Sequence, residues 1–370
     1  MGPGLQPAAE LTRSKSALPR VLLWTVLTLF AFLVVEGLIF RTGWYANYLE
    51  PQSSAGIVED YLYWLKHHPP GNAPEVLVVG DSRVGEGFSA RAADEAAGGR
   101  THFWNFGIAG TTPRVWYYEL RDADPTRRRF AAIVIAMDHY SDEDGDPPVA
   151  DRATDLNFAI ARLRLADCPG FAFSMSAFAA RGKALAGCVL KGIPLRSDLQ
   201  HFLANVALRR QRSKQFHELG LEYINGYGGR DTNLEGLSAD LRTHEIHFPP
   251  GVDVEQRDTI RATVTPDPAP DTGETTAYRK LWLGRILDLY KNSPARIIFL
   301  QLPRAPLHIP ENPTPPRFLS SALRRPRVAA LPRATFEDLE TPELFFDGYH
   351  LNRDGRAVFS RRVAELTEVK

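Results

Sequence analysis

From Val21 to Phe40 the chain runs without interruption through apolar side chains, with Glu36 the one ionisable group. As a helix this stretch covers about 30 Å, the thickness of a bilayer's hydrocarbon core. Trp24 near one end and Trp44 and Tyr45 near the other match an aromatic belt. The run therefore predicts a transmembrane helix over 21–40. Arg13, Lys15 and Arg20 precede it, whereas Arg41 alone follows closely. By the positive-inside rule, residues 1–20 form a cytoplasmic tail and everything beyond about residue 41 is extracytoplasmic, periplasmic in a Gram-negative cell. The apolar region is long for a cleaved signal peptide, and Glu36-Gly37-Leu38-Ile39-Phe40-Arg41 offers no small-x-small site, so the segment reads as an uncleaved signal anchor. Glu36 either snorkels to the outer interface or meets another membrane helix.

With 44 basic and 44 acidic residues among 370, the chain has no net charge, and nothing in that balance suggests a nucleic-acid surface. Arg209-Arg210-Gln211-Arg212 and Arg324-Arg325-Pro326-Arg327 read as solvated faces, with lipid headgroups or an anionic glycan as the functional alternative. Cys168 and Cys188 are the only cysteines. In an oxidising compartment they form either a disulfide or two buried thiols. Their spacing gives no zinc pattern, and His244-Glu245-Ile246-His247 reads as surface histidines, so no metal or cofactor is expected.

Residues 42–73 read as a juxtamembrane stalk with a short helix from Ile57 to Trp64. The pattern then changes. Val76–Val79, Phe103–Phe106, Ala131–Ala136 and Arg296–Leu302 are short apolar runs of the kind buried on both faces of a sheet. Helical stretches separate them, notably Ser89–Ala97 and Thr276–Tyr290. Strands alternating with helices predict a doubly wound, three-layer α/β/α domain over 74–370. An insertion at about 139–275 interrupts it, with helices at Asp155–Leu165, Phe173–Leu190 and Asp198–Leu219, and is expected to cap the strand ends. Pro303–Pro316 adds a loop at the same edge.

Gly80-Asp81-Ser82 closes the first apolar run, and Asp347-Gly348-Tyr349-His350 lies near the C-terminus. A serine where a strand turns into a helix exposes its hydroxyl at the sheet edge. The Asp-x-x-His step can aim a carboxylate at one imidazole nitrogen while the other faces the serine. In these two motifs the chain resembles the SGNH/GDSL hydrolase superfamily, which implies a flavodoxin-like fold, Ser82 as nucleophile, His350 as general base and Asp347 as orienter. Asn105-Phe106-Gly107-Ile108-Ala109-Gly110-Thr111 resembles the second block of that superfamily. The match implies an oxyanion hole built from the amides of Ser82 and Gly110. Asn352 is a plausible N-cap for a last helix from Arg353 to Val369.

Where the third block has Gly-x-Asn, this chain reads Ala136-Met137-Asp138-His139. Asp138, with Arg83 and Asn105, is a candidate site-organising residue. That departure and the membrane anchor are similar to membrane-attached SGNH-like acyltransfer proteins, relatives of alginate O-acetylation and D-alanyl transfer proteins. The expectation is an esterase or O-acyltransferase acting on an acylated or acceptor glycan of the cell envelope. A membrane-bound O-acyltransferase delivering acyl groups across the bilayer is the expected partner. The rival expectation is a non-catalytic envelope protein that keeps the fold and binds a glycan or such a partner. Asp138 separates the chemistries. If its charge opposes an oxyanion, Asp138→Asn raises hydrolysis of a small ester; if it orients an acceptor hydroxyl, the same change impairs transfer and spares hydrolysis. Both rates measured on one variant check this.

Overall fold

The computed structural model describes residues 17–137, 151–265, 274–308 and 317–367. Asp138 and the residues 309–316 of the Pro-rich loop lie outside them. Five parallel strands form the central sheet: β1 (Glu75–Gly80), β2 (His102–Gly107), β3 (Phe130–Met137), β6 (Arg296–Gln301) and β7 (Val328–Ala330). Their order is β2-β1-β3-β6-β7, that of a flavodoxin-type doubly wound sheet. A separate antiparallel hairpin pairs β4 (Ser238–Asp240) with β5 (Glu245–His247). The four apolar runs each became a strand. β7 has only three residues, all half-buried, and its short run Val328-Ala329-Ala330-Leu331 is not among the expected strands.

Successive strand residues point to opposite faces, so each run feeds two cores. Leu77, Val79, Ile133, Ile135, Ile297 and Phe299 face one side. They are covered there by α2 (Ser54–His67), α5 (Pro113–Ala123), α12 (Glu274–Leu289) and α13 (Arg317–Ala322). Val76, Val78, Ala132, Val134, Ile298 and Leu300 face the other. That side is covered by α3 (Ser82–Gly87), α4 (Ala90–Ala96), α11 (Val254–Val264) and α14 (Arg353–Thr367).

The stretch expected as a stalk is part of this architecture. Val58, Tyr61, Leu62, Trp64 and Leu65 of α2 are buried against the sheet, and Ser53 caps the helix by accepting from the Gly56 amide at 3.0 Å. Apolar residues at i, i+3, i+4 and i+7 gave the helix one face that only the sheet could bury.

The first helix, α1 (Ala17–Phe40), is long and apolar enough over Arg20–Phe40 to cross a membrane. From Arg20 to Val35 it is exposed, while Glu36 and Phe40 are buried against the domain. The Glu36 carboxylate accepts from the Gly192 amide at 3.3 Å and lies 3.8 Å from Arg41, so its partners come from its own chain. Phe40 and Tyr45 join a third core built by the insertion.

The insertion contains α6 (Thr154–Ala159), α7 (Asp167–Ala172), α8 (Phe178–Val189), α9 (Arg196–Ala204), α10 (Val206–Gly226), the hairpin and α11. Its expected third helix is split at Asn205. Its first half packs beside α2 and α5, with Phe158 of α6 against Gly110 in the loop after β2, and the part from about residue 227 reaches the other strand ends. A disulfide joins Cys168 to Cys188, tying α7 to α8. Arg209, expected on a solvated face, is buried and binds Glu50 and Asp198, both at 2.9 Å, anchoring α10 to the turn that follows the apolar helix.

One buried carboxyl stands alone. Neither oxygen of Glu119, on α5, has a hydrogen-bond partner among the described residues, and burial pushes its pKa from 4.5 up to about 8. A carboxyl raised in this way favours the folded state below the unfolded value and opposes it as pH climbs through the folded one. Stability should therefore fall between pH 4.5 and about 8. Glu119→Gln should remove that slope, leaving the variant more stable than wild type at alkaline pH and little changed below pH 4.5. Chemical denaturation across this range provides the check.

Candidate active site

β1 ends at Gly80, Asp81 caps α3 by accepting from the Arg83 amide at 2.9 Å, and Ser82 opens the helix. At that first position the serine amide has no acceptor inside the helix, and its side chain stands at the edge of the sheet. A helix of six residues does not hold itself in place. It is clamped at its C-terminal end, where carbonyls lack partners. Asn105 Nδ2 donates to the carbonyls of Phe88 at 2.7 Å and of Val84 and Gly85 at 3.3 Å, while its Oδ1 accepts from the Gly107 amide at 2.8 Å. From α14, the buried Arg356 donates to the carbonyls of Gly85, at 3.0 Å, and Glu86. The carboxamide of Asn105 thus acts by fixing the helix that carries Ser82.

The other half of the site is a turn ahead of α14. Asp347 Oδ1 accepts from the amides of Tyr349 and His350, both at 2.8 Å, which fixes the carboxylate relative to its own backbone. His350 Nδ1 lies 2.9 Å from Asp347 Oδ2, and Nε2 lies 2.9 Å from Ser82 Oγ. Phe346 stacks on the imidazole, with planes 11° apart and centroids at 5.5 Å. Asn352 caps α14 by accepting from the amides of Asp354 and Gly355, and donates to the Glu343 carbonyl at 2.6 Å. Gly348 leaves no room for a side chain: a Cβ there would sit 2.6 Å from the Thr259 carbonyl of α11.

The structure thus brings Ser82, Asp347 and His350 into one hydrogen-bonded line. Burial works to raise the Asp347 pKa, but the hydrogen bond and charge of His350 and the two amides outweigh it, holding the carboxyl below its usual range. The stabilisation from its ionised form is complete above the unfolded carboxylate value and is lost as pH falls through the lowered folded one. Across neutral pH, Asp347 stays an anion able to stabilise an imidazolium.

Gly110 follows β2 in a loop bound to the first: the Ile108 amide donates to the Gly80 carbonyl at 3.1 Å, and the Thr111 hydroxyl to the same oxygen at 3.2 Å. Its φ of +80° is in the left-handed region, which suits glycine. Arg83 donates to the Arg304 carbonyl at 3.1 Å and lies 5.2 Å over the Tyr349 ring, so among the described residues its partners are a carbonyl and a ring rather than a carboxylate. Asp138, two residues past Ala136 of β3, lies outside the described residues. His244 and His247 are exposed on the β4–β5 hairpin.

Phe346, Gly348 and Arg356 escaped the sequence reading. Arg356 was within reach: it falls on the buried stripe of α14 with Phe359, Ser360, Val363 and Ala364, where a guanidinium implies a buried acceptor. A cavity of about 1130 Å³ lies elsewhere, lined by residues 42–47, α2 and the 122–129 loop, and none of the three aligned side chains borders it. No family model matches this chain, and a search of curated proteins finds no match.

Because Asn105 satisfies several buried backbone groups at once, Asn105→Ala should cost at least ~2 kcal/mol of stability. If Ser82 is a nucleophile toward esters, the same change should lower kcat more than it raises KM, since it loosens the helix that carries Ser82 without removing a group at the aligned side chains. Urea denaturation with steady-state kinetics on the same variant tests both parts.

Proposed function

We propose that this protein is a membrane-tethered, extracytoplasmic serine esterase or O-acyltransferase acting on ester-linked acyl groups of a cell-envelope glycan. The observation that carries the reading is the line from Asp347 through His350 to Ser82, with 2.9 Å at each junction. In the proposed reaction Ser82 Oγ attacks the ester carbonyl carbon while His350 Nε2 takes its proton. The tetrahedral oxyanion is met by the amides of Ser82 and Gly110. The C–O bond breaks, and His350 returns the proton to the leaving alkoxide. Water or a sugar hydroxyl, deprotonated by His350, then attacks the acyl carbon, the bond to Ser82 Oγ breaks, and His350 returns the proton to the serine.

Water as acceptor makes the protein an esterase; a sugar hydroxyl makes it a transferase. Attachment of the domain to a membrane favours transfer, since a lipid-linked or exported acceptor, or a membrane-bound O-acyltransferase supplying acyl groups, would share that surface. The alternative is a non-catalytic protein that binds a glycan or such a partner, and Asp138 in place of the expected asparagine is what supports it.

An activated phosphonate separates the two. The enzyme reading expects one covalent adduct, located by peptide mass at Ser82. Ser82→Ala and His350→Ala should each reduce ester turnover on the order of 10⁴-fold, with Asp347→Ala somewhat milder and the double variants no worse than the singles. Absence of an adduct on folded protein, or normal turnover by Ser82→Ala, would overturn the serine mechanism.

A further inference from the structure

We propose that the α7–α8 part of the insertion is a second membrane contact, an apolar face that sits in the outer interface of the same bilayer that α1 crosses. The proposal rests on reading α1 as a membrane span.

The first observation is one of length. The part of α1 exposed all round, Arg20 to Val35, reaches only about 24 Å at 1.5 Å per residue, against a hydrocarbon core of about 30 Å. Its last turn lies with one face against the domain and Leu38, 60% exposed, on the other. Glu36 is bonded to the Gly192 amide, Phe40 is buried, and a Cβ on Gly192 would lie 3.3 Å from the Phe40 ring. Where this last turn completes the span, the protein surface around Gly192 enters the membrane with it.

The second observation is what that surface carries. Arg41 donates to the carbonyls of Cys188 and Val189 at 2.8 and 2.7 Å, so the C-terminal end of α8 lies against the end of α1. Phe178, Leu185 and Val189 lie along one helical face of α8 and are 88%, 37% and 39% exposed, while Ala184, Gly187 and Cys188 are buried on the side turned to the domain. Ile193, next to Gly192, is 57% exposed. A contiguous apolar surface of this kind, joined to a membrane helix, marks an interface rather than a water-facing wall. Lipid is favoured over a protein partner by charge. Between Asp167 and Asp198 the chain has no acidic residue, whereas Arg181, Lys183 and Arg196 fall there outside the core; Lys191 is buried on the Ala161 carbonyl, and among the described residues the carboxylate brought to the start of α8 is Asp151, which accepts from the Ser176 and Ala177 amides. Exposed Lys183 lies at the edge of the exposed side of α8, turned away from Phe178, Leu185 and Val189, where its stem can lie along the helix and its ammonium reach anionic headgroups. The Cys168–Cys188 disulfide holds this face as one piece.

The test uses the full chain in lipid nanodiscs containing doxyl-labelled phosphatidylcholine. Because Cys168 and Cys188 are joined, a cysteine introduced by Phe178→Cys, Leu185→Cys or Ile193→Cys is the one thiol open to an environment-sensitive fluorophore. Phe30→Cys in the apolar helix and Val254→Cys on α11, 73% exposed, serve as references. The proposal expects blue-shifted emission and loss of fluorescence to the doxyl lipid at 178, 185, 193 and 30, and neither at 254. Quenching at 30 with none at 178, 185 and 193 overturns the second contact and leaves the span intact. No quenching at 30 overturns the span and the proposal with it.

Discussion

Burial of a parallel sheet on both faces is the constraint from which the rest of this structure follows. Parallel neighbours cannot be joined by a tight turn, so each connection must cross a face of the sheet, and helices are the elements that cross it while satisfying their own backbone. In this chain β1 lies between β2 and β3, pairing in parallel with each. Its C-terminal end therefore opens at the sheet edge between the ends of β2 and β3, and the Gly-Asp-Ser turn is placed there. The loop after β2 is drawn to the same point by its bonds to the Gly80 carbonyl.

A serine at a strand end is not yet a positioned nucleophile. The helix it begins is short, and its position depends on groups brought from far along the chain: a carboxamide from β2 and a guanidinium from α14. α14 also fixes the histidine, because the turn carrying Asp347 and His350 runs directly into its Asn352 cap. Packing of α14 on α4 and α3 thus sets both halves of the Ser82–His350 contact at once.

The part of the chain that follows the apolar helix is built on the same principle. The turn after the apolar helix and α2 are bonded into the domain through Arg209, Glu50 and Asp198, and the insertion supplies a third core around Phe40 and Tyr45. The domain therefore sits directly at the end of α1, with no free tether between them.

The sequence by itself determined the elements whose signal is local. Val76–Val79, Phe103–Phe106, Ala131–Ala136 and Arg296–Leu302 announced strands because two-sided burial requires unbroken apolar runs, and Ser82, Asp347 and His350 stood out because their neighbours form recognisable turns. Only the tertiary structure decided what depends on a partner distant along the chain. Nothing local distinguishes Arg209 in a basic run from the solvated Arg210 beside it; burial against Glu50 and Asp198 does. The role of Asn105 emerged only when β2 met the end of α3, and Glu36 found its partner only when Gly192 came against it. The pairing of Cys168 with Cys188 was settled by the packing of α7 on α8. Secondary structure and turn chemistry are fixed by neighbours a few residues away, whereas a buried polar group is defined by whichever backbone the fold brings to it.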